Sequence, residues 1–457
     1  MKATILSAAF IALSGTILNA QWTEMAPMSS TRAGHTAATL DDGSILVAGG
    51  WNYTTNVLTA EIYDVGSNAW RNVPNMSSQH YNGQSVTLDD GNVLVISGFN
   101  GTFNTEECDL FDAATETWSS GGILSQGRSF FTATKLPNGS VLVVGGFDGT
   151  DNLASCEIYD PSTNTWSAAG SIATARSYHT ANLLSNGKVL ITGGFNPDAG
   201  YQMSSTEIYD PSTNLWIAGP SMTTGRDFHA SSELNDGRIL VSGGRFFNGS
   251  VNFAYNGIEE TEIYDPTTNQ WSFFSFFPQG ISYHKQITLT NGNVLLIAGV
   301  DSSNFSSSGG FTTSESSSYE YDFQTSSWGS RPMIQDARYE FTATAMSNSS
   351  VLVTGGVDQS VELFGSVTTL SQMKSEGLTS FIYPNPGNGL INVQFSREFK
   401  LESAQLTNLI GQVELIRIDF NATNKVIFNV NGLSKGSYLL SLQAKDGQVV
   451  NHKLIIN

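Results

Sequence analysis

The sequence predicts an all-β chain: seven copies of one four-stranded antiparallel sheet, then a smaller β domain of another pattern. Three observations carry this. Trp22, Trp70, Trp118, Trp166, Trp216, Trp271 and Trp328 recur at spacings of 48, 48, 48, 50, 55 and 57 residues. Between them, short apolar runs alternate with Asn-Gly, Asp-Gly and Gly-Gly pairs, the marks of short strands joined by tight turns. Beyond residue 365 the beat stops. The charge there turns from 12 Lys/Arg against 34 Asp/Glu over residues 21–365 to 8 against 6 over residues 366–457.

Each copy places its parts at fixed offsets. Ten residues after the Trp stands a slot holding Arg32, His80, Arg128, Arg176, Arg226, Ile281 and Arg338. Eleven further on, Gly43, Gly91, Gly139, Gly187, Gly237 and Gly292 (Ser349 in the last copy) give the positive φ of a hairpin turn. Seven more residues reach Gly50, Gly98, Gly146, Gly194, Gly244, Gly299 and Gly356, where a side chain would block a close backbone approach. An aromatic follows: Tyr63, Phe111, Tyr159, Tyr209, Tyr264, Tyr321 and Phe364. The runs before the second glycine, such as Ile45–Ala48, suit strands buried on both faces. Trp and Tyr fill the space between neighbouring sheets.

These residues resemble the kelch repeat, as in the run from Arg176 and His179 through Gly193-Gly194 to Tyr209 and Trp216. The resemblance covers residues 21–365 and implies a β-propeller. The chain begins with a lone Trp strand and the seventh copy ends after its third strand. The first strand is therefore expected to complete the last blade, closing a seven-bladed ring and pairing an open edge.

One segment varies in length. From second glycine to aromatic the copies measure 13, 13, 13, 15, 20, 22 and 8 residues. This connection lies on the same face as the Arg slot, so that face is expected to bind a ligand, glycan or protein. Its candidate residues are Arg32, Arg128, Arg176, Arg226 and Arg338, with Tyr178, Phe228 and Tyr283 two positions after the slot. Trp51 and Phe147 follow the double glycine, and Arg245 opens the long fifth loop. Arginine with aromatics suits carboxylate-bearing or sugar-like ligands. Two readings of the arginines stand side by side: a binding collar, or architecture tying each guanidinium to carbonyls and acids of the blades.

Composition and motifs narrow the chemistry. The net charge of −19 argues against nucleic acid or an anionic membrane surface as partner. Two cysteines, Cys108 and Cys156, build neither a disulfide framework nor a Cys-rich zinc site. His35, His179, His229 and His284 share one slot, and hydrogen bonding within each blade is expected rather than a metal site. Some kelch proteins are copper-radical oxidases resembling galactose oxidase, which implies a Tyr cross-linked to Cys, a second Tyr and two His; nothing here matches that set. Kelch-type sugar mutarotases imply Arg, Glu and His around the axis, and the Arg slot with Glu340, Asp227 and His229 offers those types. No cofactor is expected, and a binding module is favoured over a sugar-modifying enzyme on the same face.

The two ends carry the address. Met1-Lys2, an apolar stretch and Leu18-Asn19-Ala20 form the plan of a secretory signal peptide over residues 1–20. No later run reaches a membrane-spanning length. Residues 366–380 read as a linker. Residues 381–457 read as a small β-sandwich, Ig-like in strand count. Tyr383-Pro384-Asn385-Pro386, Gly411, the Gly436 and Tyr438 of Leu-Ser-x-Gly-x-Tyr, and a terminal run from Lys453 resemble the C-terminal sorting domain of the type IX secretion system of Bacteroidota. That implies secretion or surface display, with the export machinery as a partner.

Overall fold

The computed structural model describes residues 21–247, 255–301, 314–346, 350–356 and 358–365, and most of 380–456. The signal peptide, the linker up to residue 379, the loop tips at 248–254 and 302–313, and Pro384, Asn385, Pro386 and Gly411 of the tail motif lie outside the described residues. The chain forms two compact units, residues 1–367 and 368–457. Among the described residues no helix is long and apolar enough to cross a membrane.

Among the described residues the first unit holds seven antiparallel blade sheets and two small two-stranded ones in the loops of blades four and five. Blade four is representative: Thr180–Leu183, Val189–Thr192, Thr206–Asp210 and Leu215–Ala218, hydrogen-bonded in that order. The second strand of every blade is buried along its central run, because each of its faces meets a different neighbour. In blade one, Leu46 and Ala48 pack against blade two, while Ile45 and Val47 pack against blade seven. This is why the run is continuously apolar rather than alternating. Outermost, each Trp pairs in register with the third-strand aromatic, as Tyr159 with Trp166, their rings 5.1 Å apart.

The ring closes as expected. Gln21–Glu24 pairs with Val361–Gly365, Trp22 opposite Phe364, completing blade seven. Blade six departs from the four-strand plan: Ile281–Ser282 and Lys285–Thr288 both pair with Val294–Asp301, separated by a kink at Tyr283.

Neighbouring blades are clasped where the double glycine ends the second strand. The N–H of Gly50, Gly98, Gly146, Gly194, Gly244, Gly299 and Gly356 donates to the carbonyl of the next blade's slot residue at 2.8–3.1 Å, the last reaching Arg32 of blade one. A Cβ on Gly194 would stand 2.8 Å from the Ser177 carbonyl oxygen, so a side chain would break the clasp.

In the second unit two four-stranded antiparallel sheets share one apolar core. Val393, Val426 and Phe428 come from one sheet; Leu406, Tyr438, Leu440 and Leu442 come from the other.

Trp22 lies 9% exposed against Phe364, with Nε1 donating to Ser318. Trp22→Ala is expected to lower unfolding free energy by about 3–5 kcal/mol. Denaturant titration of the secreted chain measures this, and an unchanged midpoint would mean the closing strand carries no stability.

Candidate functional site

The five slot arginines do not line the axis. Arg32, Arg128, Arg176, Arg226 and Arg338 are fully buried, their guanidinia turned into their own blades. In blade four, Nη1 of Arg176 donates to the carbonyls of Gly193 and Ser205 at 2.9 and 3.0 Å. Nη2 meets Ser205 Oγ and Glu207 Oε1 at 3.2 and 3.0 Å, and Nε meets the Thr174 carbonyl at 3.3 Å. All five donors are thus committed. The pairs Arg32–Glu61, Arg128–Glu157, Arg226–Glu262 and Arg338–Glu362 repeat the pattern. Each glutamate also accepts a backbone N–H from the turn ahead of the slot, such as Ala173 on Glu207 at 2.8 Å. The expectation of an arginine collar at the rim is therefore corrected. Desolvating a guanidinium is offset by partners on its donors, and the blade supplies them, Arg226 Nε being the one slot-arginine nitrogen left without a partner.

The two interruptions obey the same logic. His80 takes the arginine's place with Asp109 in place of glutamate, 2.9 Å apart. In blade six both charges are gone: Ile281 faces Leu296, and Phe277 packs edge-on against Tyr319, which occupies the glutamate position.

The open site lies two residues past the slot. Gly34, Asn82, Phe130, Tyr178, Phe228, Tyr283 and Glu340 all adopt left-handed backbone, φ +51° to +57°. Their peptides join around the axis. The N–H of Gly34 donates to the Glu340 carbonyl, Asn82 to Gly34, Phe130 to Asn82, Tyr178 to Phe130 and Tyr283 to Phe228, at 2.8–3.3 Å. Six of the seven are L-residues held in αL against their intrinsic preference, and these blade-to-blade bonds help hold them there. Gly34 has a further reason: a Cβ there would meet the Tyr81 ring at 2.5 Å.

The side chains of this collar line an axial cavity of about 220 Å³. One wall is aromatic: Phe130, Tyr178, Phe228 and Tyr283 stack in succession, with centroids 4.3, 4.0 and 3.8 Å apart. The opposite wall is polar, with Asn82, Gln84, Lys285 and Glu340. Glu340 accepts from the Tyr81 hydroxyl at 3.0 Å. Burial raises its carboxyl pKa above the ordinary value, opposed by the Tyr81 bond and the Lys285 charge. Lys285 reaches water inside the cavity but is encircled by protein, and this desolvation lowers its ammonium pKa against the pull of Glu340. Sequence reasoning missed Lys285 because its position, at the start of the first strand, carries no motif.

Tyr178, Phe228 and Tyr283 are thus brought together, whereas Trp51, Phe147 and Arg245 stand farther out. Arg245 lies over the Phe228 ring at 4.5 Å and pairs with the buried Asp227 at 3.0 Å. Asp227 also accepts from Gln202, whose carbonyl takes the N–H of Phe247, so the fourth and fifth loops sit on the slot's face of the disc. Trp51 packs at a tilt against Tyr53 and Tyr81. Phe147 lines a separate notch with Phe99. In the tail, Tyr438 is buried, its hydroxyl donating to the Ser434 carbonyl at 2.8 Å; Tyr383 and Lys453 lie within strands beside the described Gly436.

The histidines bond between blades, not within them as expected. His179 Nε2 meets Thr132, His229 meets Thr180, His284 meets Ser242, and His35 meets Thr354, at 2.9–3.0 Å. The residues present do not fit a copper-radical centre. The two thiols are free and buried in third strands, each of these imidazoles holds a hydroxyl through Nε2 alone, and among the described residues no three His, Cys, Asp or Glu side chains converge. For the mutarotase set, Glu340 faces the cavity while Asp227 and the arginines are held by ion pairs.

Three family models match the chain. The KLHDC2/KLHL20/DRC7 Kelch-repeats domain matches residues 130–356, the Kelch motif residues 31–77, and the Secretion system C-terminal sorting domain residues 381–457. No curated protein matches. Among solved structures, one described as a novel fungal alcohol oxidase with catalytic diversity among the AA5 family, in complex with copper, aligns at TM-score 0.61 and 14% identity, covering 96% of this chain and 99% of that one. Another, described as the structure of YjhT, aligns at TM-score 0.50 and 15% identity, over 67% of this chain and 99% of the other. At such identities the likeness is one of fold.

Two outcomes follow for the buried groups. Arg176→Ala strands the Glu207 carboxylate and is expected to cost about 3–5 kcal/mol, whereas Arg176→Met with Glu207→Leu, the exchange blade six illustrates, should cost less than the single change. Denaturant unfolding of both variants decides. Burial, aided by neighbouring positive charge, also pushes His35, His179 and His284 down to about 3. Unfolded imidazoles take up protons near pH 6.5, so between about 6.5 and 3 the unfolded state binds more protons and stability falls as pH drops. His179→Gln should flatten that acid limb by about 1.4 kcal/mol per pH unit, read from unfolding free energies across pH 4–7.

Proposed function

Because this chain is a kelch-repeat β-propeller protein with a C-terminal type IX sorting domain, we propose that it is an exported binding protein that seats the end of a glycan in its axial cavity. Export to the cell surface or medium follows from the sorting domain. The single observation that supports the binding reading is the division of one cavity into a wall of four aromatic rings and a wall of amide, amine and carboxyl groups. A sugar has the same two-sidedness: C–H groups that pack against the edges of apolar rings and hydroxyls that take hydrogen bonds. The cavity's volume, about seven waters at ~30 Å³ each, suits one terminal sugar unit rather than the middle of a polymer. A protein ligand on the surrounding loops is the alternative among binding readings. The signal peptide and a Bacteroidota source complete the proposal, since type IX cargo first crosses the inner membrane.

Glu340 favours one further reading. A carboxyl with a raised pKa facing a sugar-sized space is suited to proton transfer, so slow sugar modification at this site is the second hypothesis.

A screen of the secreted chain against immobilised glycans, followed by calorimetry, tests both. Tyr178→Ala is expected to weaken the best glycan at least tenfold and Glu340→Gln three- to tenfold, with midpoints of unfolding within a few degrees of the parent. Glycan binding that survives both variants would refute the axial site. Turnover that Glu340→Gln abolishes while binding persists would favour the enzyme.

A further inference from the structure

Beside the axial cavity, between blades two and three on the same face, lies a second space of about 270 Å³. It is walled by the rings of Tyr81, Phe99, Phe130 and Phe147, with Asn104 and Gly149 at its edge, and the surface it offers is almost all carbon. Its frame is rigid. Phe99 and Phe147 are fixed by paired backbone bonds to Tyr81 and Ser129, and Asn104 Nδ2 donates to the Phe147 carbonyl at 2.8 Å. At two other junctions the corresponding place is taken up by side chains: Trp51 packs at a tilt against Tyr53 and Tyr81 between blades one and two, and Tyr201 lies against Phe195 and Phe247 between blades four and five.

The notch and the axial cavity adjoin. Asn82 and Phe130 line both, and Tyr81 lines the notch with its ring while its hydroxyl holds Glu340 of the axial wall. Phe130 thus stands between the two spaces, one side of it toward each. We infer that this notch is a second subsite that takes an aryl group carried by the sugar seated at the axis, so that the natural ligand is amphiphilic: a polyhydroxylated head bonded to an aromatic substituent. A bare second sugar fits less well, because its hydroxyls would lose water against carbon without partners, whereas an aryl ring is stabilised by apolar burial and edge-to-face packing.

This rests on the axial reading, and one experiment separates the two. Matched methyl and 4-nitrophenyl glycosides of glucose, galactose, mannose and N-acetylglucosamine are titrated into the full secreted chain by calorimetry. For the sugar that binds, the aryl glycoside is expected to bind at least tenfold tighter than the methyl glycoside, and Phe99→Ala and Phe147→Ala should each bring that ratio toward one. Equal affinities of methyl and aryl forms, or an aryl advantage untouched by both variants, would overturn the subsite and leave the axial reading standing. Failure of every glycoside to bind would overturn both.

Discussion

The inner corner of each blade depends on one buried contact: a slot residue locked to the third strand by its side chain while its carbonyl receives the neighbouring blade's glycine N–H. The side chain sets the corner within a sheet, and the carbonyl sets the angle between sheets. For Arg176, five donors meet five acceptors of its own blade. A guanidinium so placed is costly to desolvate, and truncating either partner leaves the other charge unpaired, so the contact specifies geometry more than it adds stability. Blade six, where Ile281 and Phe277 pack in its stead, shows that apolar packing reaches the same corner by another route.

With the corner fixed, most of the next side chains are turned to the axis rather than into the blade, Gly34 being held to glycine by the Tyr81 ring. The collar residues are held by peptides bonded from blade to blade, in a conformation L-residues avoid. Their side chains therefore range from glycine to tyrosine to glutamate at equivalent places, and this sorts the cavity into an aromatic half and a polar half. The division of labour is spatial: charge balance inside the blade, recognition two residues further on.

This explains what the sequence made legible. The Trp beat, the turn glycines and the lone first strand state the ring and its closure directly, because each follows from strand periodicity and edge pairing. The slot was visible too, but its orientation was not. A regular Arg reads equally well as collar or as strut until Glu61, Glu157, Glu207, Glu262 and Glu362 are seen opposite it, two residues ahead of each third-strand aromatic. That covariation, down to Asp109 with His80 and Tyr319 with Ile281, was the available signal. Tyr178, Phe228 and Tyr283 were named from their offset alone, whereas Lys285 and the notch beside Phe99 emerge only from how the blades meet.

The pairing of Gln21–Glu24 with Val361–Gly365 has a consequence for synthesis and transit. A propeller closed by its own first strand joins residues more than three hundred positions apart, so the last sheet stays incomplete until nearly the whole repeat array has left the ribosome. Until then the first strand waits without its partner. The circle can lock only once its two ends are present together, so closure is the last event in the assembly of the ring.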